Sequence, residues 1–76
     1  MRTMEFKMER TGLLNEGDIL PVKEGKVSSY YYYTLGNSFA MSANILPSER
    51  LSSDKGRVAA IRETGRGYYV TVEFDE

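Results

Sequence analysis

The sequence contains no cysteine, no histidine and no tryptophan, and only two prolines. Without cysteine no disulfide can staple the fold, so stability has to come from packing or from association. The joint absence of histidine and cysteine removes Ser-His and Cys-His nucleophile pairs and most zinc-ligand sets, and no cofactor or metal is expected. No apolar run approaches the ~20 residues that cross a bilayer. Residues Met1 to Arg10 alternate charged and apolar side chains instead of forming a signal-peptide core. A cytoplasmic protein with no membrane role is therefore expected. A surplus of either charge is missing too: ten Lys and Arg face eleven Asp and Glu, for a net charge of −1. That balance lacks the broad positive field of a general nucleic-acid binder.

What the chain has is aromatic and apolar mass on a small frame. Seventy-six residues, 41% of them hydrophobic, with six Tyr and three Phe, suffice for one core and so for a single domain spanning residues 1–76. Glycines at positions 12, 17, 25, 36, 56, 65 and 67 cut the chain into strand-sized pieces, and no helix-length amphipathic stripe appears. Met4 to Glu9 alternates apolar and charged residues, the pattern of a strand with one buried face. Asn15 to Asp18 reads as a turn into a short strand at Ile19, Leu20 and Val22, with Pro21 confined to an edge or bulge. Val27 to Leu35, the Gly36-Asn37 turn and Ser38 to Ile45 read as a Tyr-rich hairpin, with Phe39, Met41 and Ala43 on one parity; Ser38 to Ala43 also has a helical alternative, because Ala and Met are good helix formers. Pro47 to Leu51 allows one helical turn, the only one expected.

The end of the chain carries the clearest pattern. Arg57 to Glu63, a Thr64-Gly65-Arg66-Gly67 turn and Tyr68 to Phe74 form a hairpin in which Tyr68, Val70, Val72 and Phe74 share one face. Val58 and Ile61 have opposite parity, so burying both requires a bulge near Ala59-Ala60. Both glycines of the turn are expected to supply positive φ.

Gly17-Asp18-Ile19-Leu20, Lys55-Gly56-Arg57-Val58-Ala59-Ala60-Ile61 and Tyr69-Val70-Thr71-Val72-Glu73-Phe74-Asp75 together resemble the small SH3-like barrels of the KOW and Tudor kind. The resemblance covers Glu16 to Val22 and Gly56 to Asp75, about a third of the chain. It implies an all-β fold: a small barrel entered through a Gly-Asp turn and closed by the last hairpin. In this sequence the Tyr-rich segment Gly25 to Ser53 lies between the two motifs, and the basic surplus of ribosomal KOW domains is missing. In length the chain is also similar to short proteins common in bacterial genomes.

Few residues offer themselves for chemistry. Glu16 with Asp18, and Glu73 with Asp75 and Glu76, are the available carboxylate groupings, and each reads more simply as a solvated turn or tail. Gly65-Arg66-Gly67 places two glycines around a cation but lacks the strand-loop-helix setting of a phosphate loop. No enzyme is expected. Between Arg50 and Arg66, five cations, including Arg57, Arg62 and Arg66, stand against Asp54 and Glu63, enough to meet about three phosphates.

Tyr30, Tyr31, Tyr32 and Tyr33 form an uninterrupted run. A strand must send two of them to each face, so at most two can enter the core of a small barrel. Tyrosine supplies contact area at low entropy cost, and Phe39 and Tyr69 extend the set. The expectation is a non-catalytic binding or adaptor domain that contacts a protein through these six aromatic residues. The alternatives are a weak nucleic-acid accessory protein using Arg57, Arg62 and Arg66, and a structural homodimer without ligand.

Overall fold

The computed structural model describes residues 2–10, 12 and 14–76. Six strands, β1 (Arg2–Met8), β2 (Ile19–Val27), β3 (Tyr30–Leu35), β4 (Ala40–Ser42), β5 (Lys55–Thr64) and β6 (Gly67–Phe74), close into an antiparallel barrel in the order β1-β4-β3-β2-β5-β6. The only helical element among the described residues is the 3-10 turn Pro47–Glu49, shorter than the Pro47 to Leu51 turn expected because Arg50 is already extended. This small all-β barrel is consistent with the SH3-like architecture. The two segments that carry the resemblance meet in space: Gly17 N–H donates to the Val58 carbonyl and Val58 N–H to the Asp18 carbonyl, both at 2.8 Å.

Alternation explains the core. From β1, Phe6 and Met8 point inward, and from β6, Val70, Val72 and Phe74 do so at 0% exposure. Val58, Leu35, Tyr33 and Ala40 complete the walls, and Leu14 and Leu51 plug from loops. Phe6 and Phe74 meet as a tilted ring pair with centroids 6.4 Å apart. The bulge expected near Ala59-Ala60 lies between Val58 and Ala60, so Val58 faces Val72 and Ile61 faces Val70. Val58 and Ile61 thereby both reach the inner side, and Arg57 and Arg62 share the outer one.

The strand expected from Val27 to Leu35 is broken. Ser28, at φ 55, starts a two-residue turn with Ser29, and Val27 pairs with Tyr30 across it. Positive φ at the first central residue alone is the pattern of a type II′ hairpin turn, which normally takes glycine there. The Gly36-Asn37 turn is where the sequence placed it, with Gly36 at φ 60, but β4 that follows has three residues, and Ile45 joins only through a bridge to Tyr31. Pro21 pairs with Lys55 beyond the end of β3, so its missing N–H costs the sheet little. In the last turn Gly67 has positive φ (130°), and Gly65 does not. The equal role expected for the two glycines is corrected accordingly.

Polar anchors fasten the segment between β4 and β5 to the barrel. The Glu76 carboxylate accepts from the Ser52 hydroxyl at 2.6 Å, the Ser52 N–H, the Ser53 hydroxyl and Arg2. Arg2 also donates to the Glu49 carbonyl. Chiefly through the Ser52 hydroxyl, Glu76 is held at a pKa of about 2, below its ordinary 4.5. The folded state therefore binds this proton less readily than the unfolded chain. The stabilisation is complete above about pH 4.5 and is lost as pH falls through about 2. Urea melts at neutral pH and near pH 3 should show the wild type losing more stability on acidification than Glu76→Gln; equal losses would contradict the assignment.

Candidate binding surface

The aromatic run divides as a strand requires. Tyr31 and Tyr33 face inward, and Tyr30 and Tyr32 outward. Tyr33 is 2% exposed; its hydroxyl donates to Glu24 Oε2 at 2.7 Å and accepts the Leu51 N–H at 2.8 Å. Arg50 grips the same carboxylate with Nε at 2.7 Å and Nη2 at 2.8 Å. Those arginine bonds first, and Tyr33 second, hold the Glu24 pKa below the ordinary value, while burial and the bond to Glu24 push the Tyr33 hydroxyl up. Tyr31 lies beside two cations, Arg50 with its guanidinium carbon 4.8 Å from the ring centroid and Lys26 with its ammonium at 5.9 Å. Tyr32 lays its ring over Gly25, in the space a Cβ there would fill. Tyr30 and Val27, opposite one another, are 44% and 49% exposed. Of the four tyrosines only Tyr30 is largely open to solvent.

Another part of the barrel's outer surface gathers Phe39 and Tyr69. Strand register lays a continuous row across it: Arg62 beside Tyr69, Tyr69 beside Lys7, Lys7 beside Met41, and Met41 beside Thr34. Ala40 and Ser42 are the inward residues of β4, which leaves Met41 outward and 51% exposed. Phe39 from the preceding turn, Met41, Ala43 and Tyr69, with the charged side chains of Glu5, Lys7, Glu9 and Arg10, line a groove of about 690 Å³. Its size lies within the range of small-ligand and peptide pockets. Phe39 and Tyr69, singled out in the sequence, meet here, whereas Tyr30 to Tyr33 do not line it. Met41 and Lys7 were not singled out. Their shared surface depends on the pairing of β1 with β4, which no local pattern announces.

Two of the three arginines expected to form a phosphate-binding patch have other partners. Arg57 forms an ion pair with Glu73 directly across the strands. It borders a smaller recess of about 150 Å³ beside Ile19, itself 64% exposed. Arg62 reaches Glu5 at 3.2 Å and lies over the Tyr69 ring at 5.5 Å. Arg66 sits in the β5–β6 turn, where, among the described residues, its backbone N–H is bonded to the Thr64 hydroxyl at 3.1 Å and its guanidinium has no partner. Of the carboxylate groupings, three members are likewise committed: Asp18 accepts the Asn15 N–H at 2.9 Å, Glu73 meets Arg57, and Glu76 anchors Ser52 and Ser53. Among the described residues no acidic cluster is arranged to hold a metal ion, and no helix is long and apolar enough to cross a membrane.

No family model, curated protein or solved structure matches the chain.

Proposed function

We propose that the protein is a non-catalytic recognition domain that binds an extended protein segment in the groove between Phe39, Met41 and Tyr69. The observation that carries this reading is Met41. It stands 51% exposed among aromatic side chains on the outside of a barrel whose core is already filled by other residues. An adaptable thioether in a groove that the Phe39 and Tyr69 rings also line suits apolar side chains of varied shape. Lys7, Arg10, Glu5 and Glu9 around it supply both charge signs for orienting a peptide backbone or its polar side chains. The KOW and Tudor likeness of the Gly17-Asp18 and Val58 to Ile61 segments supports a recognition module of this size. A nucleic-acid ligand is less well supported, because Arg57 and Arg62 already meet carboxylates.

Peptides selected from a displayed random library against the wild-type domain should lose at least about tenfold in affinity against Met41→Glu, roughly 1.4 kcal/mol. Affinity should be unchanged against Tyr30→Ala. Selected peptides that bind Met41→Glu as well as wild type would overturn the groove assignment.

A further inference from the structure

Among the described residues, the β2 strand has no partner on one edge from Lys23 to Val27. It meets β5 only over Ile19 to Pro21, and β3 over Val22 to Val27. On the β5 side the last bond is from Val22 N–H to the Asp54 carbonyl at 2.9 Å, which fixes the phase of the ladder. By antiparallel alternation Lys23, Gly25 and Val27 direct their backbone groups to β3, and Glu24 and Lys26 direct theirs to the open side. The reciprocal bonds between Tyr31 and Ile45 on the far side of β3 agree with that phase, since Tyr31 is the partner of Lys26. Lys23 to Val27 thus offers two N–H donors and two carbonyls to another strand.

We infer that this edge is built to pair with the same edge of a second copy, antiparallel, about a two-fold axis through Gly25. In that register Glu24 stands opposite Lys26 of the partner subunit, and Lys26 opposite Glu24 of the partner subunit. All four residues point their backbone groups across the seam, giving four main-chain hydrogen bonds and two opposite-charge pairs. The side chain of Glu24 accepts three bonds, from Tyr33 and twice from Arg50, and a carboxylate has about four acceptor sites, so one remains for lysine. Moving the axis to residue 24 or 26, the nearest registers that keep the hydrogen bonding, sets two glutamates or two lysines against each other. The charges that protect an edge against indiscriminate strand addition therefore permit one register. Gly25 at the axis has no Cβ, and the Tyr32 ring that covers it would meet the partner's Tyr32 on the outer face. Val27, half exposed, gains the aliphatic stem of the partner's Lys23 as cover. A seam of five residues a side is small, so the complex is a weak, reversible dimer. It uses a different strand from the groove and does not rest on the groove's having a ligand.

Sedimentation equilibrium over about a hundredfold range of concentration tests the inference, read beside the exchange rates of individual amides. The wild type should pass from monomer to dimer with rising concentration, with the Glu24 and Lys26 amides exchanging at least about threefold more slowly in the concentrated sample. Lys26→Pro removes one outward donor and leaves the β2–β3 ladder intact. It should remain monomeric throughout, as should Lys26→Glu, which sets glutamate against glutamate. A wild type that stays monomeric, a dimer that persists in both variants, or Glu24 and Lys26 amide rates independent of concentration would each overturn the proposal. If Lys26→Pro fails to fold, the wild-type amide rates and Lys26→Glu decide the matter. Monomeric behaviour would leave the peptide-binding test untouched.

Discussion

Replacing Tyr33 by Ala should cost about 3–5 kcal/mol of folding stability, and the same change at Tyr30 less than about 0.5 kcal/mol. The two residues lie three apart in an uninterrupted run, but Tyr33 is 2% exposed and Tyr30 44%. Removing the Tyr33 ring opens a cavity and also leaves the Leu51 N–H without its acceptor and the Glu24 carboxylate without its phenol donor. A domain of this size has a total stability of roughly 4–11 kcal/mol, from about 0.05–0.15 kcal/mol per residue. Tyr33→Ala should therefore lose from about a quarter to all of that stability, and Tyr30→Ala should melt like the wild type. Tyr33→Phe keeps the ring and isolates the hydroxyl, at about 1–3 kcal/mol. Urea denaturation of the three variants gives the order directly. Equal losses at Tyr33 and Tyr30 would mean that β3 is turned over relative to the barrel.

The second large effect is expected at a glycine. A Cβ on Gly56 would lie 2.5 Å from Val72 Cγ1 and 2.7 Å from Phe74 Cε1. Both neighbours are fully buried in the barrel wall, so neither can retreat without disturbing the core. Gly56→Ala should cost about 1–3 kcal/mol through overpacking, and Gly56→Val more. Gly65→Ala is the control: a Cβ there meets nothing within 4 Å and the backbone is not left-handed, so its midpoint should stay within about 0.5 kcal/mol of wild type. At Gly25 the obstructing group is the Tyr32 ring, which is half exposed and can swing aside, so Gly25→Ala should fall between the two. A neutral Gly56→Ala would contradict the packing of β5 against β6.

Strict alternation in the sequence was enough to place β1 and the β5–β6 hairpin, and the mismatched parity of Val58 and Ile61 was enough to locate the bulge. These signals are local and are reinforced by burial of one face. The β2–β3 turn was missed because Ser28-Ser29 contains none of the Gly, Asn or Asp residues that mark such turns, although Ser28 takes the left-handed conformation. The forced division of the tyrosine run was legible, but not which pair would face inward, nor that Tyr33 would reach the core while Tyr31 stays half-buried beside Arg50 and Lys26. The Tyr33 hydroxyl meets Glu24, which Arg50 grips from 26 residues away. Phe39 and Tyr69 were legible as surface candidates. The groove that joins them required Met41, whose outward position follows from the register of a three-residue strand. The arginines stood out by charge, and their partners Glu73 and Glu5 became visible only once β5 and β1 were seen on either side of β6.

The most direct test of the central claim is a two-dimensional amide spectrum of the labelled domain titrated with a library-selected peptide. A recognition groove on β1, β4 and β6 should move the resonances of Lys7, Phe39, Met41, Ala43 and Tyr69 in one saturable process, leaving the Ser28-Ser29 turn and Arg57 in place. Shifts concentrated at Val27 to Tyr30, or along Arg57, Arg62 and Arg66, with the Met41 region still, would contradict it and transfer the binding role to the hairpin tip or the basic strand.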